Sequence, residues 1–364
     1  SNDVWIQHSP LTAQFSKPTG IRNINAILEV NPYKELQSFE ETDSAIFFCR
    51  LRQTERLFEL ISTQPCTLLI GSSGSGKSSL IKAGLSGKIK SKSPDLTTAY
   101  CRPGVKPLLN ILSAVQKIHP TSKLIEVVNV LINGGHLTGE CLSSAANSKG
   151  LLIVDQFEEM FSLLRDPAEF SAVMKLLHQL VVDTSFGISL LLSIRADFVG
   201  QLLDDANFSF LSELQDLKVT PLTSAELVDV ILGPAKLFNR SFESGLIERI
   251  IDDLGTESIQ LPLLEFTLYQ LFLNSKNEVF THACYDEMGG ISKSLIRYAD
   301  SIFDSMEPWH QHLAKEIFLK LVQSAGSLFS VKRIASRSEF SEESWKIVNF
   351  LAAKRLLTIS ASIQ

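Results

Sequence analysis

The 364 residues of this chain exceed what one small core needs and leave room for two or three domains. A composition of 45% hydrophobic and 20% charged residues is that of an ordinary globular protein, which excludes a disordered or fibrous chain. The net charge of −6 supplies no general attraction to nucleic acid or anionic membranes.

Residues 1–30 mix Ser, Thr, Asn, Pro and Gln without periodicity and are expected to form a linker or tail. After Asn31-Pro32-Tyr33 the pattern changes. Apolar Leu57, Phe58, Leu60 and Ile61 predict an amphipathic helix over 54–62. An alternation typical of a parallel α/β sheet follows. Strands are predicted at 67–70, 97–101, 151–154, 188–194 and 217–219, with helices at 77–83, 108–117 and 170–182. Leu151-Leu152-Ile153-Val154 is apolar at every position, as a central parallel strand buried on both faces requires. Beyond Pro221 the strand signals stop, and 223–232, 243–254 and 263–272 read as a small helical bundle. The helical pattern resumes from Ser292 through Ile302 and over 312–323. A last helix at 342–354 and an alternating strand at 355–359 suggest a winged-helix module cut close to its wing. The expected domains are a linker or tail (1–30), a P-loop nucleotide-binding domain (31–221), a helical bundle (222–290) and a winged-helix domain (291–364).

Gly71-Ser72-Ser73-Gly74-Ser75-Gly76-Lys77-Ser78 matches the phosphate-loop pattern in full, between an apolar strand and a helix. The glycines let the backbone curl so that its N–H groups face phosphate oxygens, and the helix adds its positive end. Lys77 is the candidate ligand of the β- and γ-phosphates, Ser78 is that of Mg²⁺, and Ser79 completes the nucleotide-binding run. The bare pattern arises by chance in about 1% of chains this long, and the strand–loop–helix context lowers that figure. Asp155 ends the third predicted strand, where an acid can hold the Mg²⁺ shell opposite Ser78. Taken alone, a helix-capping role accounts for it equally well. Glu158 and Glu159 follow, where one could polarise a water against the γ-phosphate or stand as a solvated first-turn acid. Arg195 closes the fourth predicted strand, at the edge that lines ligand crevices in parallel sheets. It could sense the γ-phosphate, or pair with Asp197 or Glu159.

Five scattered cysteines show no zinc or redox spacing and read as free thiols in a reducing compartment. The seven histidines form no metal-ligand pattern either. No run is apolar and long enough to span a bilayer and no secretory pattern opens the chain, so a cytoplasmic location is expected. The opening Ser1-Asn2 suggests a processed or recombinant fragment.

These pieces, in this order, resemble the STAND class of P-loop ATPases (signal-transduction ATPases with numerous domains). The resemblance is to the novel STAND NTPase type one group, related to the NACHT and AP-ATPases. It runs from Asn31 to Thr358. It rests on Asn31-Pro32-Tyr33, Phe47-Phe48-Cys49-Arg50, Gly71 to Ala83, Asp155-Gln156-Phe157-Glu158-Glu159, Arg195-Ala196-Asp197-Phe198, Gly233-Pro234-Ala235 and Leu261-Pro262-Leu263-Leu264. It implies an ASCE/AAA+-like P-loop sheet followed by a small helical bundle and a winged helix, with ATP or ADP and Mg²⁺ as cofactors. Phe48 and Arg50 would border the adenine, Pro262 would pack against the base, and Arg195 would act as sensor. Glu158 and Glu159 match the extended acidic motif of the NACHT relatives. Cys49 replaces the usual glycine, Leu51 an acid, and Gln260 a glycine of many relatives. The implied function is a slowly hydrolysing switch whose nucleotide state sets domain arrangement and self-association. Effector and sensor domains outside this chain would complete it, in bacterial defence or stress signalling.

An ATPase cycling continuously on nucleic acid is the alternative, and a P-loop kinase a weaker third. Lys332, Arg333 and Arg337 could form a small basic patch for DNA. Against this, the helix expected to read a groove opens with Glu342 and Glu343, where phosphate contacts would fall. No guanine-specific Asn-Lys-x-Asp pattern follows the strands, which favours adenine.

Overall fold

A computed structural model describes residues 4–6, 31–48, 50–120, 130, 149–162, 164, 166–206, 215–255, 261–275, 277–324, 330–332, 335–357 and 359–361. Cys49, Gln260 and Arg333 lie outside the described residues. The chain forms two compact units. One comprises Ser38–Val230 and Glu257–Leu261; the other comprises Ser1–Gln37, Ile231–Thr256 and Pro262–Gln364.

The first unit is built on a five-stranded sheet: β1 (Cys66–Gly71), β2 (Thr97–Cys101), β3 (Gly150–Val154), β4 (Ile188–Arg195) and β5 (Asp216–Lys218). The strands run parallel in the order β2-β3-β4-β1-β5, each within one residue of its predicted ends. Helices α1 (Leu51–Thr63) and α2 (77–92) lie on one face, where Leu57, Ile61, Leu80, Ile81 and Leu85 meet Leu69, Leu151, Ile153 and Leu191. Helices α3 (Pro107–Ile118) and α4 (Pro167–Val182) cover the other, where Leu152, Val154, Leu190 and Leu192 are buried. Helices on both faces leave no room for polar positions on β3, hence its unbroken apolar run.

Helix α2 runs well past its predicted end at residue 83 because Leu80–Leu85 is wound as a π-helix. The wider turn brings residues i and i+5 onto one face, so Leu80 and Leu85 are buried together with Ile81. Gly84 lets this helix pass close to α1: a Cβ there would stand 2.7 Å from the Thr54 hydroxyl.

The division of the chain falls inside α5 (Ser224–Leu237), which carries Pro234 in its interior. A proline there lacks the N–H that would bond the carbonyl four residues back and disturbs the preceding turn. In that turn the Ile231 carbonyl accepts a bond of 2.6 Å from the buried Tyr33 hydroxyl. Helices α6 (Leu246–Leu254) and α7 (Leu261–Asn274) follow. Asn31 Nδ2 donates to the Tyr269 carbonyl on α7 at 2.9 Å, and the Lys34 N–H to Glu265 at 3.1 Å. Residues 31–37 thus strap onto the helices of the second unit, whereas the expected boundary put them with the sheet.

Glu265 is buried, and burial lifts its carboxyl to about 7 against the opposing pull of the Lys34 N–H. The native protein therefore keeps a proton that the unfolded chain releases near 4.5. That contribution to stability is full below 4.5 and is lost as pH rises through about 7. The loss amounts to about 3 kcal/mol. Glu265→Gln keeps an acceptor for Lys34 without the charge. It is expected to melt above wild type at pH 8 and alongside it at pH 4.5, by thermal denaturation followed with circular dichroism.

The C-terminal part of this unit packs α8 (Gly290–Asp304), α9 (Pro308–Lys320) and α10 (Glu342–Ala353) around Ile302, Leu313, Ile317, Phe340, Val348 and Leu351. Val322–Ser324 and Ser330–Lys332 pair antiparallel. Val4–Ile6, expected in a tail, is the middle strand between Ala335–Ser336 and Ile359–Ala361. The last strand starts later than predicted, because Arg355 takes φ 60° just after α10 and breaks the extended run. Its guanidinium pairs with buried Glu35 at 2.5 Å. Among the described residues no helix is long and apolar enough to cross a membrane.

Candidate functional site

Gly71 closes β1, and a Cβ there would stand 2.7 Å from Ser75 Oγ and 3.2 Å from the Val219 carbonyl oxygen. Gly74 and Gly76 take φ 72° and 91°, left-handed values that a side chain would strain. The loop thus turns tightly and delivers Lys77 as the first residue of α2. The buried Lys77 ammonium donates to the carbonyls of Gly71 at 2.7 Å and Ser72 at 2.9 Å. Burial lowers its pKa, while Glu158 and Asp155 act to raise it.

The alternation of β3 continues one step past the strand, so Asp155 falls on the same face as Leu151 and Ile153, the face of α2. There the Ser78 hydroxyl donates to Asp155 Oδ2 at 2.6 Å. Oδ1 accepts from the Gln156 N–H at 3.0 Å, with Gln156 at φ 57° turning the chain away. Two further groups converge on the same carboxylate. The Tyr100 hydroxyl donates to Oδ2 at 2.6 Å, and Arg102 Nη2 lies 3.9 Å from it. Neither residue was singled out from sequence. The readable signal is register: β2 neighbours β3, Tyr100 pairs with Ile153, and the shared face leads two residues on to Asp155. Burial, then Asp155, pushes the Tyr100 phenol above its ordinary value, so it remains a donor.

The two candidate glutamates separate. Glu159 is buried and accepts the Gly104 N–H at 2.9 Å, tying the turn after β2 to β3. Glu158 accepts the Arg195 N–H at 3.2 Å. Its carboxyl is raised by burial, with Lys77 acting to lower it, which places it in the field of the loop. Arg195 pairs with Gly71 across β4 and β1. Its guanidinium makes a two-point bond to Asp197, at 3.1 and 2.7 Å, and stands 5.3 Å from the Phe198 ring centre. An exposed pair of this kind contributes about 0–1 kcal/mol and is readily exchanged for another anion.

The profile of the family described as Novel STAND NTPase 1 matches residues 32–364. The chain belongs to that family. A search of proteins with curated functions gave no significant match. Among solved structures it is similar to a chain of Drosophila ORC bound to DNA. The identity is 10%, over 98% of this chain and 85% of that one, with a TM-score of 0.53. It is also similar to the Aeropyrum pernix ORC1 protein in complex with DNA, at 13% identity over 88% and 91% of the two chains and a TM-score of 0.50. At such identities the likeness concerns the fold, and with the parallel sheet it makes this a P-loop NTPase fold.

Within this STAND NTPase, Arg50 is bonded to backbone carbonyls, and its expected role beside a base rests on the family resemblance. It sits at φ 65° ahead of α1, nearly buried, and donates to the carbonyls of Thr220 at 2.8 Å and Ser75 at 3.1 Å. It braces the loop from behind. Phe48 is half-buried just before it, after Phe47, whose ring lies 5.5 Å from that of Phe39. Pro262 is the second residue of α7, in the second unit, and its role toward the base rests on the family resemblance alone.

The donor set at Ser78 and Asp155 is all oxygen, which suits Mg²⁺, a cation usually held by one or two side chains with phosphates and water. Among the described residues no group of three or more His, Cys, Asp or Glu side chains could hold a metal by itself.

Proposed function

We propose that this STAND NTPase binds ATP or ADP with Mg²⁺ at residues 71–79 and works as a slowly hydrolysing switch. The convergence of Lys77, Ser78 and Asp155 at one end of β1 and β3 carries the reading. On nucleotide binding, Lys77 exchanges the Gly71 and Ser72 carbonyls for phosphate oxygens. Backbone N–H groups of the loop and of the first turn of α2 would face the phosphates. Ser78 and Asp155 would hold Mg²⁺, which when bound neutralises phosphate charge and orients the γ-phosphate. Glu158 polarises the attacking water. Arg195, released from Asp197, senses whether the γ-phosphate is present.

The switch is supported by residues 31–40. Asn31, Tyr33 and Lys34 are bonded within the second unit. Within the first unit, the Phe39 N–H donates to Ser79 Oγ at 3.2 Å and Glu40 pairs with Lys82 of α2 at 2.7 Å. A few residues of chain thus link the helix that follows the phosphate loop to the helical unit. A shift of α2 on binding or losing a γ-phosphate has a short covalent route outward. We read residues 222–290 as the helical bundle and 291–364 as a winged helix. The outputs we assign are nucleotide-dependent self-association and, through domains outside this chain, bacterial defence or stress signalling.

The ORC structures are of proteins bound to DNA, which keeps a nucleic-acid-driven ATPase as the second reading. The start of α10 weighs against it: Glu342 and Glu343 occupy the first turn, and Arg337 is already paired with Glu342. Denaturing the purified protein should release ADP or ATP, identified by chromatography. Mass in solution should rise when ADP is replaced by a non-hydrolysable ATP analogue, and hydrolysis should be slow and indifferent to added DNA. Absence of any nucleotide binding overturns the site; DNA-stimulated turnover selects the second reading.

A further inference from the structure

The Tyr100 hydroxyl shares Asp155 Oδ2 with the Ser78 hydroxyl, both at 2.6 Å. The carboxylate is fully buried, and Gln156 N–H holds its other oxygen. Its orientation is therefore set by three donors on three segments: α2, β2 and the turn after β3. Tyr100 is itself held. Its hydroxyl accepts from Arg102 Nε at 3.3 Å, and the Lys82 ammonium of α2 lies 4.9 Å from its ring centre. Lys82 in turn is fixed by Glu40. The phenol thus spans from the helix that carries Ser78 to the strand that carries Asp155. Arg102 adds a cation beside the carboxylate that would meet Mg²⁺.

We propose that Tyr100 is a positioning residue of the Mg²⁺ site, fixing the Asp155 carboxylate so that Mg²⁺ and nucleotide bind cooperatively. This rests on the nucleotide-site reading above and assigns it an outer partner. Such partners orient the groups that hold a metal, and their loss weakens metal affinity by about 10–100-fold. The Lys77 ammonium is bonded to the Gly71 and Ser72 carbonyls, and the Tyr100 hydroxyl to Asp155, so nucleotide binding without Mg²⁺ is not expected to depend on Tyr100.

The test is the affinity of a fluorescent ATP analogue for the full chain with Mg²⁺ and with EDTA, in wild type and Tyr100→Phe. The variant keeps the ring over Lys82 and removes only the hydroxyl. Its Mg²⁺ half-saturation for analogue binding is expected to rise by about tenfold, with affinity in EDTA unchanged. An unchanged Mg²⁺ dependence overturns the proposal while leaving the nucleotide site intact. An equal loss of affinity in both conditions also overturns it, because it marks a purely structural role. Arg102→Gln is the second variant, in case the phenylalanine chain does not fold. It removes the cation and weakens the hold on the phenol, and is expected to shift Mg²⁺ half-saturation with EDTA affinity unchanged; no shift counts against the network. Wild type that binds no analogue in either condition sinks the nucleotide site itself.

Discussion

Lys77→Ala is expected to bind ATP at least about 30-fold more weakly than wild type, measured by calorimetry. The magnitude follows from what the ammonium does. It is buried, and burial lowers its pKa, so its charge is held against a desolvation cost. A phosphate repays that cost directly. Losing one partner of a buried charged pair costs about 2–5 kcal/mol, which is more than a factor of ten. The substitution also removes the donor that satisfies the Gly71 and Ser72 carbonyls, so the loop itself loosens. Lys77→Arg separates the two effects. It restores charge with a planar fork that cannot follow the same path between those carbonyls. It should melt closer to wild type than Lys77→Ala while remaining a weak binder. An alanine variant with wild-type affinity would remove Lys77 from the site.

The parts legible in the sequence were those written in local pattern. Strands β1, β3 and β4 stand out because burial on both faces leaves largely apolar runs such as Leu151 to Val154. The loop stands out because two of its glycines adopt left-handed conformations that a side chain would strain. Ser78 and Asp155 are paired from sequence because one opens the helix behind the phosphate loop and the other follows directly on a strand of the same sheet. What local pattern does not carry is register and long-range docking. Tyr100 reaches Asp155 only because β2 lies beside β3 with Tyr100 opposite Ile153. Tyr33 and Ile231 meet across almost two hundred residues, and no periodicity records that. Val4–Ile6 reads as polar tail because its pairing partners lie at the far end of the chain. Helix α2 continues past 83 through Gly84, where the fold uses a close approach to Thr54.

Glu158→Gln is expected to slow ATP hydrolysis by about 100-fold with ATP affinity kept, and Glu159→Gln to change it by less than about threefold. From sequence the two acids were equivalent, since each stands in the first turn after Asp155. Their surroundings divide them. Glu159 is committed to the Gly104 N–H, and a glutamine oxygen at that position still accepts it. Glu158 rests on the Arg195 N–H, beside the strand end that meets Gly71 at the mouth of the loop. Burial raises its carboxyl, and Lys77 is among the groups that act to lower it. A glutamine there keeps the shape and an acceptor for Arg195 but cannot take a proton from water. Single-turnover hydrolysis with both variants saturated in ATP isolates the chemical step from nucleotide exchange. The reverse ranking would move the water to the Gly104 side of the carboxylate cluster. It would also leave Arg195 without a route to the γ-phosphate, because its N–H and its Asp197 pair both belong to the Glu158 side.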